Sequence, residues 1–190
     1  MKEYIEDVKK AVDVMRAGGI ILYPTDTIWG IGCDASNSAA VRRIFQLKRR
    51  SDSKSMLSLI DSDAKLGYYV PDIPDVAYDL MDLAGKPLTI IYDNVRHMAP
   101  ELIAQDGSAG IRITREEFSR ELCRRMGGAV VSTSANVSGQ PSPANFSEIS
   151  EEILNGVDYI VEYRRDDQVR SVASGIIKLG SGGLVKVIRE

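Results

Sequence analysis

The chain has 190 residues, of which 44% are hydrophobic and 27% charged, with a formal net charge of −3. That length suits one domain with a sizeable core, and the mild acidity excludes a fold that binds nucleic acid through overall positive charge. The two cysteines, Cys33 and Cys123, lie far apart with no CxxC pair, which excludes a zinc site and a disulfide framework. The segment Met1-Lys2-Glu3-Tyr4-Ile5-Glu6 is charged and lacks the apolar core of a signal peptide. No apolar stretch is long enough to span a bilayer, so a cytoplasmic location with no membrane partner is expected.

Residues 3–17 carry Ile5, Val8, Val12 and Met15 at helical spacing and are stopped by Gly18-Gly19. Ile20 to Tyr23 is an apolar run ended by Pro24, which predicts a buried strand. Residues 38–49 read as a helix with Val41, Ile44, Phe45 and Leu47 inward. Met56 to Ile60 predicts a strand and Asp75 to Leu83 a helix. Leu88–Tyr92, Gly110–Thr114 and Ala129–Thr133 read as strands, with a helix over Glu116–Met126 between the last two. Asn145-Phe146-Ser147-Glu148 has capping-box spacing and predicts the opening of a short helix. The tail supplies three more strands, Tyr159–Glu162, Gly175–Leu179 and Leu184–Ile188. No repeat, low-complexity stretch or linker divides the chain, so a single domain over 1–190 is expected. Helices and strands interleave without strict βαβ alternation, which points to an α/β fold with a mixed sheet.

Three polar segments stand out against this pattern. Ser132-Thr133-Ser134-Ala135-Asn136-Val137-Ser138-Gly139 follows the apolar run Ala129-Val130-Val131. Strand ends of this kind are where α/β proteins place ligands, although a hydroxyl-rich turn is the plainer reading. Tyr23-Pro24-Thr25-Asp26-Thr27 also follows an apolar strand, and Thr25 and Thr27 could simply shape the turn after Pro24. The third segment is basic: Arg42, Arg43, Lys48, Arg49, Arg50 and Lys54. No acidic residue interrupts Arg42 to Arg50, so i,i+4 pairing cannot neutralise it. It is either a solvated helix face or a local anion site. No Gly-x-x-x-x-Gly-Lys-Ser/Thr occurs, which excludes a P-loop. Gly30-x-Gly32 is too short for a dinucleotide fingerprint and reads as a site of tight backbone packing. His97, the only histidine, lies outside all three segments and is not assigned as a general base.

Taken in order, the three segments resemble the YrdC family of threonylcarbamoyl-AMP synthases. That family has Tyr-Pro-Thr-Asp/Glu-Thr, then Lys-x-Arg-Pro-x-x-Lys, then Ser-x-Asn-x-Ser-Gly, and the resemblance runs from about Gly18 to Arg189. It implies a twisted mixed sheet, partly barrel-like, flanked by helices, with the ligand cleft on its concave side. It also implies a reaction that joins L-threonine, bicarbonate and ATP into threonylcarbamoyl-adenylate and pyrophosphate. Magnesium arrives with ATP, and separate proteins pass the threonylcarbamoyl group to an adenosine beside the tRNA anticodon. By the same resemblance Lys48, Arg50 and Lys54 hold ATP phosphates, and Ser108, Asn136 and Arg189 contact the nucleotide. Thr27, Arg112, Ser134 and Ser174 contact threonine. No side-chain nucleophile, general base or metal cluster is implied. Such a reaction needs positioning and charge stabilisation, which cations, hydroxyls and an amide supply.

The chain departs from the family pattern at several positions. Ser51 replaces the proline after Arg50, Leu59 stands where some members have a histidine, and Gly175 follows Ser174 in place of threonine. These departures weaken the threonine half of the motif set more than the nucleotide half. A paralogous enzyme adenylating another carbamate or carbamoyl group therefore stays open. So does an RNA- or tRNA-binding module built on the same basic surface. Such a module should interleave aromatic rings with its cations, and Phe45 is the only one in the basic segment.

Overall fold

The apolar residues of the first helix, α1 (Ile5–Arg16), fall on one face, and Val8, Ala11, Val12 and Met15 are buried. Gly18 ends the helix with φ +85°, a left-handed conformation that suits glycine. The computed structural model describes residues 4–50, 56–180 and 183–190. After α1 come β1 (Ile21–Tyr23), β2 (Gly30–Gly32), α2 (Ser38–Leu47), β3 (Leu57–Ile60), α3 (Leu66–Tyr69) and α4 (Asp75–Leu83). The second half has β4 (Leu88–Tyr92), β5 (Ala109–Ile113), α5 (Glu117–Met126), β6 (Val130–Ser134), α6 (Glu151–Gly156), β7 (Tyr159–Ile160), β8 (Gly175–Leu179) and β9 (Val185–Arg189).

Among the described residues nine strands join one twisted mixed sheet in the order β7-β1-β2-β6-β3-β5-β4-β8-β9. The β1–β7, β3–β5 and β4–β8 pairs are parallel; the others are antiparallel. The core lies where α1 and α5 pack on each other, with α1 also against β1 and α5 against β3. Phe118 and Leu122 of α5 are fully buried there, each worth roughly 1.5–3 kcal/mol of transfer free energy. Helix α5 starts on the Glu116 carboxylate, which accepts from the Phe118 and Ser119 amides, and stops at Gly127 in the left-handed region.

The structure adds the short helix α3, which the sequence pattern does not predict, and differs from expectation in two further places. The strand β2 went unread because Gly30-Ile31-Gly32 has low strand propensity. Its glycines allow the chain to squeeze between β1 and β6. A Cβ on Gly32 would lie 2.5 Å from the Val131 carbonyl and 2.6 Å from the Tyr23 ring, so the tight packing read from Gly30-x-Gly32 is real. The capping box at Asn145 does not form. Asn145 makes no side-chain cap bond, residues 146–148 form a 3-10 turn, and the helix begins only after Ser150. The Glu148 carboxylate instead accepts from the Ala144 amide and pairs with Arg170.

Candidate active site

Five of the residues singled out in the sequence meet at one cleft with about 480 Å³ of empty space. Thr27 and Trp29 come from the β1–β2 connection and Arg112 from the middle of β5. Ser134 ends β6, Ser174 precedes β8, and Arg189 lies in β9. Gly30 and Ser132 line the same cleft, and a Cβ on Gly30 would stand 3.1 Å from the Ser132 Oγ, so glycine keeps that wall open. Pairing of Gly30 with Ser134 brings the start of β2 and the end of β6 to the same point.

The hydroxyls of Thr27 and Ser174 are held by hydrogen bonds, whereas Thr133 Oγ1, on the same lining, is buried without a partner. Thr25 Oγ1 accepts from the Thr27 amide at 3.0 Å and donates to the Ile28 carbonyl at 2.8 Å. The turn reading of Thr25 is therefore right, and Thr27 adds a face to the cleft. Ser174 is buried and shares a hydrogen bond with Thr89 Oγ1 at 2.9 Å. Arg189 Nε donates to the Ser174 carbonyl at 2.8 Å, which ties β9 to the cleft.

Arg112 is 3% exposed, so it is buried in the sheet and does not face solvent. Its guanidinium pairs with Asp26 at 2.9 Å and donates to Thr27 Oγ1 at 3.3 Å, while its Nε–H is buried without a partner. Desolvation, and then the nearby Arg112, lower the pKa of Arg189. Two arginines on one cleft wall that disfavour each other make a place where an anion is stabilised.

The basic segment behaves differently from expectation. Arg42 pairs with Glu101, Arg43 with Asp158 and Arg49 with Glu152, all through tertiary contacts invisible to helix spacing. Lys48 is 1% exposed and turned inward. Its Nζ donates to the Ser134 carbonyl and to the Asn136 carbonyl, the latter at 2.6 Å, and its own carbonyl accepts from the Ser138 amide. Burial, and then Arg50, push its pKa down to about 8. Lys48 thus grips the strand end from below instead of presenting an open cation. Arg50 sits half-buried just past α2. Lys54 lies outside the described residues, as does Ser51.

Two further expected contacts are not in the cleft lining. Ser108 is buried at the start of β5, where its amide and Oγ both donate to Asp106 Oδ1 in a turn. Asn136 Nδ2 donates to the carbonyls of Val137 at 3.0 Å and Gln140 at 2.7 Å, so it shapes the loop after β6. Its Oδ1 is buried without a partner. Asn136→Ala should therefore lower the melting temperature, by about 1–3 kcal/mol of stability, together with turnover. A thermal melt beside a rate measurement checks this; an unchanged melt would show that the two loop bonds carry nothing. His97 stacks on Tyr68 at a ring distance of 4.2 Å, away from the cleft. Sequence reasoning assigned no role to Asp26, although it stands inside a quoted motif, nor to Trp29 or Ser142, whose only signal was nearness to that motif and to the Ser-x-Asn loop.

A family model described as Sua5_yciO_yrdC, telomere recombination, matches residues 13–190. A protein of Stenotrophomonas maltophilia named threonylcarbamoyl-AMP synthase is 36% identical over 166 residues, covering 85% of this chain and 88% of that one. Among solved structures, a double-substituted P. abyssi Sua5 superposes with a TM-score of 0.84 at 26% identity, over 99% of this chain. P. abyssi Sua5 complexed with L-threonine shares the fold, with a TM-score of 0.82 at 24% identity over 96% of this chain. This chain spans 58% and 53% of the length of those two Sua5 chains.

Proposed function

The chain belongs to the Sua5/YciO/YrdC family, and from that premise we propose that it acts as a threonylcarbamoyl-AMP synthase. One observation carries the reading: Arg112 and Arg189 face a single cleft with the hydroxyls of Thr27, Ser134 and Ser174. That set fits a small hydroxylated carboxylate beside a phosphate. In this reading the chain is one catalytic domain over residues 1–190 and works in the cytoplasm. No described helix is long and apolar enough to cross a membrane.

The chemistry is an in-line substitution. Threonine and bicarbonate condense to a carbamate and water, and a carbamate oxygen attacks the α-phosphorus of ATP as pyrophosphate leaves. Arg112 takes the threonine carboxylate through its free Nε–H, and Thr27, Ser134 and Ser174 hold the amino acid. Arg189 and Arg50, with Lys54, offset phosphate charge. Lys48 and Asn136 keep the strand end and its loop in shape. Bound to ATP, magnesium would offset phosphate charge beside Arg189 and Arg50. Separate proteins then use the adenylate to modify a tRNA adenosine.

Pyrophosphate release by wild type should require ATP, threonine and bicarbonate together. Absence of turnover with all three present would defeat the reading. Release with another amino acid in place of threonine would favour the paralogous enzyme. The RNA-module reading is weakened by the ion pairs of Arg42, Arg43 and Arg49, which leave less open charge for a phosphate backbone.

A further inference from the structure

We propose that Asp26 is a positioning residue that sets the orientation of Arg112 for the amino-acid carboxylate; this rests on reading the cleft as a threonine site. Asp26 does not line that cleft. It lines a separate cavity on which Asp61, Thr114 and Arg115 also open, whereas Arg112 lines the cleft itself. Asp26 therefore holds the guanidinium from behind. The contact falls on one terminal nitrogen of Arg112, at 2.9 Å. The same nitrogen donates to Thr27 Oγ1 at 3.3 Å. The Nε–H is left with no protein acceptor, although it is buried.

That division of labour is specific. A buried arginine seeks acceptors for its donors, and any acceptor within reach can turn the fork. Asp26 is the carboxylate that pairs by charge with the rear nitrogen, and its Oδ1 is itself buried without a hydrogen-bond partner. The Thr25 hydroxyl fixes its aim by closing the 25–28 turn with bonds of 2.8 Å and 3.0 Å. With the rear nitrogen occupied, the fork presents Nε to an incoming carboxylate. With the rear acceptor gone, the guanidinium is free to rotate and the ligand meets an unordered cation. Orientation of this kind governs ground-state capture of threonine more than the later attack on phosphorus.

Asp26→Asn keeps the shape and removes the charge. Its threonine KM should rise about tenfold, with kcat within about twofold and the ATP KM unchanged. Asp26→Glu keeps the charge but shifts it by one methylene, and its threonine KM should fall between the two. A threonine KM within twofold of wild type in both variants, or equal rises for threonine and ATP, overturns the proposal. Where Asp26→Asn does not fold, Asp26→Glu decides by the same split. A wild type without threonine-dependent turnover would instead defeat the functional reading itself.

Discussion

Arg112→Met should reduce kcat/KM for threonine by at least about 100-fold, the scale expected when a charged contact to the substrate is removed from a dry site. It should also destabilise the protein. The Asp26 carboxylate, whose side chain is 11% exposed, would lose its cationic partner. Breaking a buried pair from one side costs about 3–5 kcal/mol. The two effects separate with Arg112→Lys, which returns a charge without the fork. That variant should recover much of the melting temperature and little of the threonine affinity. Steady-state kinetics and thermal melts on both proteins provide the test. Normal threonine KM in a folded Arg112→Met protein would remove Arg112 from the site.

What could be read from the sequence divides along a physical line. Most regular elements were legible because they rest on local periodicity: Asp75–Leu83, Leu88–Tyr92 and Gly175–Leu179 have the expected bounds. β2 was not, because its strand character comes from the flanking backbones of β1 and β6 and from the missing Cβ of Gly32. The cleft was partly legible. Thr27, Arg112, Ser134, Ser174 and Arg189, which the family resemblance implies, converge on it. The basic segment misled because helix spacing cannot reveal distant carboxylates. Arg43 finds Asp158 and Arg49 finds Glu152, both more than 100 positions away. Asn136 likewise spends its amide on the carbonyls of its own loop, a choice that composition does not reveal.

Lys48 separates the two ways of reading that basic segment most sharply. As an open phosphate ligand, it would weaken ATP binding on removal and leave stability alone. As the internal donor to the Ser134 and Asn136 carbonyls, it should do more. Lys48→Met leaves the Asn136 carbonyl without its donor, at about 1–3 kcal/mol, leaves the Ser134 carbonyl with the Asn136 amide, and loosens the strand end that carries Ser134. Turnover and melting temperature should fall together. A second signature comes from proton linkage. Burial holds the Lys48 pKa down to about 8, against 10.5 for an ordinary lysine. Between those values the unfolded chain binds the extra proton, so this residue makes wild-type stability rise with pH. Neutral lysine still carries two N–H donors, enough for both carbonyls. The gap in melting temperature between wild type and Lys48→Met should accordingly widen from pH 8 to pH 10. A constant or narrowing gap, with ATP affinity lost and the melt unchanged at pH 7, would return Lys48 to the phosphates.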